Sequence, residues 1–207
     1  MNIKSSINTP LVMWIAILVP VFVWSAIDPK DTLTWFLEVA PVMIGVAIMV
    51  FTYNTFRLTP MLYLLILVHM IILMVGGHYT YAEVPLFDTI GDYFSHDRNN
   101  FDKLGHFAQG FVPAMITREI LIRKNAVNGK GWLVLFILSI ALALSAFYEL
   151  IEWQVALFSD EAAEAFLGTQ GYVWDTQSDM GWALLGAITA LLLLSRLHDK
   201  QLEKLED

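Results

Sequence analysis

The stretch LVMWIAILVPVFVWSAI, residues 11–27, carries no charge at all. A helix on the surface of a soluble domain needs a polar stripe facing water, and this run has none. It is long enough for a different solvent, because roughly 20 residues rising 1.5 Å each cross about 30 Å of hydrocarbon. The pattern then recurs. Further spans read as residues 33–53, 58–75, 104–122, 132–158 and 180–197, giving six. The fourth is the least apolar, since it holds His106, Arg118 and Glu119. Composition agrees: 57% of residues are apolar and 15% charged, where a soluble domain has about 25% charged.

Backbone groups in hydrocarbon must be satisfied within their own segment, and no run alternates as a barrel strand would. The expected fold class is therefore all-α, a polytopic membrane helix bundle, with residues 1–207 forming a single integral membrane domain. Pro20 and Pro41 fall inside spans and are expected to kink them, whereas Pro60 opens the third, where its missing N–H is harmless. A cleaved signal peptide is not expected, because only Lys4 precedes the first span and no small-residue cleavage site follows it. Basic residues favour the cytoplasm. Nine of them, Lys4, Arg57, Arg118, Arg123, Lys124, Lys130, Arg196, Lys200 and Lys204, fall on one side, against Lys30, Arg98 and Lys103 on the other. Both termini are thus expected to be cytoplasmic, and residues 76–103 and 159–179 to face the periplasm of a bacterium.

The net charge of -8 argues against a nucleic-acid partner, and the absence of cysteine excludes disulfides, thiolate metal sites and cysteine nucleophiles. What remains is an acidic and imidazole chemistry. Asp102 and His106 are four apart, Glu149 and Glu152 three apart, and Asp175 and Asp179 four apart, so each pair shares a helix face. The topology brings all three pairs to the outer ends of spans four, five and six. The loop before span four adds His78, Glu83, Asp88, Asp92, His96, Asp97, Arg98 and Asn99.

Carboxylates and imidazole at such spacings on adjacent helices can hold a divalent metal ion inside a bundle. An oxygen and nitrogen donor set suits Zn²⁺, Mn²⁺, Mg²⁺, Ca²⁺ or non-haem iron. The crowded acids call for a cation, protonation, or partners such as Arg98 and Lys103. The expected metal ligands are Asp102, His106, Glu149 and Asp179. Glu152 is the expected catalytic acid/base, with Asp175 supporting it. For Asp102, Asp175 and Asp179 there is a plainer reading, since an acid at a helix N-terminus complements the macrodipole. Glu149 and Glu152 sit near a C-terminal end, where that explanation fails, and an intramembrane acid is a functional candidate by default.

Other polar residues read as structural. His69 is expected to be packed and hydrogen-bonded, His198 to be solvated in a charged tail, and Arg118 and Glu119 to mark the cytoplasmic end of span four. Gly76-Gly77 is expected to give a sharp exit from span three. HYTYAEVPLFDTIGDYF reads as a short interfacial element. GFVPAMI and GWALLGAITA carry small residues that allow close helix packing.

At DKLGHFAQGF, YELIEW and WDTQSDMGWALLG the chain resembles the YjdF-like family of bacterial inner-membrane proteins. The motif from Asp102 to Phe107 is more loosely similar to one in VanZ-like membrane proteins. The resemblance implies a multi-pass protein of the bacterial inner membrane, and it implies no activity. Three functions fit the polar cluster. The one that uses most of it is a metal-dependent hydrolase or transferase, embedded in the lipid bilayer and acting on a lipid or lipid-linked substrate at the periplasmic face. An alternative is a non-enzymatic envelope assembly or interaction protein with a structural cation. A small cation or proton-coupled transporter fits least, because the acids gather at one face and no inverted repeat is visible.

Overall fold

A computed structural model of the chain describes residues 9–95, 97–158 and 169–206, and every regular element within them is a helix. Lys4, His96 and residues 159–168 of the second expected outer loop, which figure in the expectations above, lie outside the described residues. The elements are α1 (Thr9–Ala26), α2 (Thr32–Thr52), α3 (Pro60–Tyr79), α4 (Pro85–Tyr93), α5 (Phe101–Arg123), α6 (Lys130–Phe158) and α7 (Asp175–Glu206). Four of them, α2, α3, α6 and α7, are long and apolar enough to cross a membrane. Helix α1 is apolar but shorter, and α5 is long but carries charge within it.

Local chemistry sets several boundaries. Asp31 caps α2, its carboxylate accepting from the Thr34 N–H at 2.6 Å. Pro60 starts α3 at a position that needs no N–H. The exit from α3 differs from expectation. Gly76 and Gly77 stay inside the helix, and the chain turns at Thr80 and Tyr81, which take φ of 58° and 52°. Gly76 serves close approach instead, because a Cβ there would lie 2.2 Å from the Tyr81 ring.

Helix α5 is the hub. It packs against α3, α6 and, most extensively, α7. The expected small-residue contact is real: a Cβ on Gly110 would lie 1.7 Å from Ala183 O, and one on Gly186 would lie 2.1 Å from Phe107 O. Backbone therefore meets backbone along the α5–α7 seam. The apolar core lies on either side of α5, with Val39, Val42, Met70, Met74 and Val112 on one side and Ala114, Ile137, Ala141 and Ala187 on the other. Large apolar residues meanwhile cover the outside, among them Phe36, Ile44, Phe51, Leu64, Phe147 and Leu192. A polar hub inside an apolar exterior is the inverse of a soluble protein and suits hydrocarbon as solvent.

The expected interfacial element is α4. Leu86, Ile90, Tyr93 and Phe94 are exposed together on one side of it, while Gly91 is buried on another. Asp88 accepts from Asn99 Nδ2 at 2.7 Å.

The opposite end of the bundle corrects three expectations. Arg118, Glu119 and His198 are not surface markers or solvated groups; all three are buried, with Glu119 and His198 at 0% exposure. Arg118 Nη1 lies 3.0 Å from His198 Nδ1, and His198 Nε2 lies 2.9 Å from Glu119 Oε2. Since a guanidinium only donates, Nδ1 accepts and Nε2 carries the proton given to Glu119. Glu119 also accepts from Thr59 Oγ1 at 2.8 Å and Arg123 Nη1 at 2.7 Å. The charged tail is helical here, so the turn that carries His198 is pressed against α5 instead of lying in water. His69 was expected to be hydrogen-bonded, yet its Nε2 is buried without a partner among the described residues.

Candidate metal centre

Helix α6 shows why its two acids point inward. Its buried residues are Ile137, Ala141, Ser145, Glu149 and Glu152, spaced by four, four, four and three. This is one continuous helical stripe. The two glutamates extend the core-facing row, while their neighbours Leu150 and Trp153 are exposed. Asp102 and His106 sit one turn apart at the start of α5, and Asp175 and Asp179 one turn apart at the start of α7. The glycine-lined seam between those helices brings the four together.

His106 is the centre of the group. Its Nδ1 lies 3.0 Å from Gln109 Oε1, an acceptor, so Nδ1 bears a proton and Nε2 is the nitrogen turned to the acids. That Nε2 faces Asp102 Oδ1 at 3.2 Å, Asp179 Oδ2 at 3.9 Å and Glu149 Oε1 at 4.0 Å. Asp102, His106 and Asp179 each offer a donor atom within 4.8 Å of the others. Ligands held at about 2.1 Å from one ion stand roughly 3 to 4.2 Å from each other. Glu149 Oε1 is buried with no hydrogen-bond partner among the described residues.

Two cations flank the acids. Lys103 Nζ lies 2.7 Å from Asp175 Oδ1, 2.6 Å from Asp179 Oδ1 and 3.4 Å from Asp102 Oδ2. Arg98 Nη2 lies 2.6 Å from Asp175 Oδ1, and its Nη1 donates to the Thr169 carbonyl at 2.6 Å. Asp175 is thus bound to Arg98 and Lys103 and makes no contact with His106 comparable to that of Asp102. Glu152 is buried one turn from Glu149.

Some of the residues singled out from the sequence do not join the cluster. His78 Nδ1 lies 3.2 Å from the Ser25 carbonyl, and its ring stacks on Trp24. Glu83 pairs with Lys30 on the surface, and Asp92 and Asp97 are exposed. One residue was missed. Glu38 of α2 is buried beneath the cluster, where Tyr148 Oη donates to it at 2.7 Å. Burial, then the Glu38 carboxylate, holds the Tyr81 hydroxyl well above its ordinary range, so Tyr81 remains a proton donor. The signal was in the topology: Glu38 lies nearly two turns from the start of α2, at the same end of the bundle as the other acids.

The model of a family of predicted membrane proteins (DUF2238) matches residues 10–200. The chain belongs to this family. Inner membrane protein YjdF of Escherichia coli (strain K12) is 50% identical to this DUF2238 member over 184 residues, covering 89% of this chain and 88% of that protein. The resemblance carried by DKLGHFAQGF, YELIEW and WDTQSDMGWALLG therefore holds. No solved structure matches this DUF2238 chain.

Proposed function

We propose that this membrane protein is a metal-dependent hydrolase or transferase of the bacterial inner membrane, acting at the periplasmic face on a lipid or lipid-linked substrate. The observation that carries the proposal is the surroundings of His106 Nε2. It faces three carboxylate oxygens at 3.2, 3.9 and 4.0 Å, an acid-rich pocket that calls for positive charge among its members, and a divalent ion coordinated at Nε2 supplies it in this reading. Asp102, His106, Glu149 and Asp179 are its ligands. The His106–Gln109 contact holds the ring by Nδ1 and turns Nε2 to the acids, the orientation a metal-ligating histidine takes once Nε2 gives up its proton. A divalent ion held there would supply a Lewis acid and a water nucleophilic near neutral pH. Glu152 would take that water's proton, and Asp175 positions Arg98 and Lys103.

The accompanying topology has α1, α2, α3, α5, α6 and α7 as six crossings, with both termini cytoplasmic. It is supported by the nine-to-three division of basic residues and by the inner-membrane name of the relative from Escherichia coli. The polar flanks of α5 are tolerated at membrane depth because neighbouring helices cover them.

One observation favours a second reading, an envelope assembly protein with a structural cation: Lys103 already neutralises part of the cluster from within. Elemental analysis of protein purified without chelator tests the shared premise. Near-stoichiometric divalent metal is expected in the wild type, and its loss in His106→Ala with Asp179→Ala. Wild-type protein that binds no divalent ion and is indifferent to chelator would overturn both readings.

A further inference from the structure

A cleft of about 630 Å³ opens beside the cluster, between α4, α5 and the start of α7. Its walls are of two kinds. Arg98, Asn100 and Lys103 line one end, while Leu104, Phe107 and Trp182 line the other. Phe107 is one helical turn beyond Lys103, and Trp182 lies just past Asp179, so the cleft grades from cationic to apolar along the bundle axis.

The cationic end has an unused donor. Arg98 spends Nη1 and Nη2 on Thr169 and Asp175, but its Nε is buried with no partner among the described residues. The Tyr172 ring packs 5.5 Å from Arg98 Cζ and 5.9 Å from Lys103 Nζ, which fixes both cations at the mouth. A guanidinium and an ammonium held side by side suit phosphate oxygens. The exposed apolar face of α4 adjoins through Phe87, which also lines the cleft. An amphipathic helix of that kind sits where headgroups meet acyl chains.

We infer that this cleft binds a phosphate-bearing lipid of the outer leaflet, its phosphate at Arg98 and Lys103 and its chains over Phe107 and Trp182. The inference rests on the functional reading above for the role of the neighbouring cluster, and it names the substrate class of that site. Charge gives the binding a condition. Lys103 and Arg98 are engaged by Asp102, Asp175 and Asp179, so an incoming anion is favoured only once a divalent ion offsets the acids.

The test titrates purified protein in detergent with brominated phosphatidate and follows quenching of tryptophan fluorescence, with and without Mn²⁺. Quenching with a saturable component that is lost in Trp182→Phe and strengthens at least ten-fold with the ion is expected. Arg98→Gln should raise the half-saturation concentration ten-fold or more. Should that variant not fold, Arg98→Lys, which keeps charge and loses the fork, should raise it several-fold. Equal quenching by brominated diacylglycerol would overturn the phosphate assignment. Complete displacement by inorganic phosphate at comparable concentration would overturn the lipid assignment in favour of a soluble anion. If Mn²⁺ binds but phosphatidate does not, this inference fails and the metal reading stands. Arg98-dependent phosphatidate binding to a protein that takes no ion would keep the phosphate-lipid assignment and overturn both its charge condition and the metal reading.

Discussion

Replacing Glu119 by glutamine removes one charge and almost no volume, which makes it a clean probe of the buried network joining α3, α5 and α7. The carboxylate receives donors on both oxygens: Thr59 N and Arg123 Nη1 on Oε1, and Thr59 Oγ1 and His198 Nε2 on Oε2. An amide must turn its NH₂ toward one pair. His198 cannot shed its Nε2 proton to accommodate it, because Arg118 occupies Nδ1 at 3.0 Å. The NH₂ therefore faces Arg123 and the Thr59 N–H, donor against donor. Two bonds to a charged acceptor are lost at about 1.5–3 kcal/mol each, partly recovered as Arg123 turns to the Arg57 carbonyl it already touches at 2.7 Å. A loss of about 3–4 kcal/mol follows, within the range for breaking a buried ion pair. Asp199→Asn provides the contrast. It removes the Arg118 partner at 2.6 Å, but Asp199 is half exposed, and less than about 1 kcal/mol is expected. Equilibrium unfolding in mixed micelles of rising SDS fraction, read by tryptophan fluorescence, compares the two. Equal effects from both substitutions would refute the claim that burial gives this network its weight.

Gly186→Ala should force α5 and α7 apart by about 1.2 Å, since a Cβ 2.1 Å from Phe107 O must retreat to about 3.3 Å. A cost of about 1–3 kcal/mol is expected, with divalent-ion affinity falling at least ten-fold as the Lys103–Asp179 contact stretches; unchanged ion binding in a calorimetric titration would count against the seam as the site's scaffold. Glu149→Gln with Glu152→Gln should raise the melting temperature in detergent without metal, by relieving like-charge repulsion, and lower it relative to wild type with metal, where a ligand is missing. A variant less stable in both conditions would make the pair structural. For topology, the cysteine-free chain allows single cysteines: Ala82→Cys should react with an impermeant maleimide in intact cells and Asn128→Cys only after permeabilisation, and the reverse pattern would invert the orientation.

The lipid-facing helices were legible because hydrocarbon imposes length and apolarity on each one separately. The pairs Asp102–His106, Glu149–Glu152 and Asp175–Asp179 were legible for a similar reason, as helical spacing and alternating direction are local rules. Their grouping around His106 Nε2 was not, since it depends on how closely α5 and α7 approach, and only the contact geometry of Gly110 and Gly186 fixes that. Asp175 looked equivalent to Asp179, yet its partners Arg98 and Lys103 come from a loop and a neighbouring helix. The Arg118–His198–Glu119 network eluded sequence reading because each member sits beside a charged segment. Eighty positions separate Arg118 from His198, and single residues near a span end carry no sign of such pairing.

The burial of α5 has a consequence for how the protein is made. During synthesis this helix emerges before α6 and α7, the partners that later cover most of it. At that moment Asp102, Lys103, Arg118 and Glu119, at the two ends of α5, have no companions from the C-terminal helix, and each adds to the cost of inserting it into lipid. If α5 crosses the membrane, the newly made helix is poorly retained by lipid until α7 docks against its glycine seam. On that reading the C-terminal helix serves as an assembly checkpoint, and truncation before Asp175 is expected to leave α5 without a stable place in the membrane.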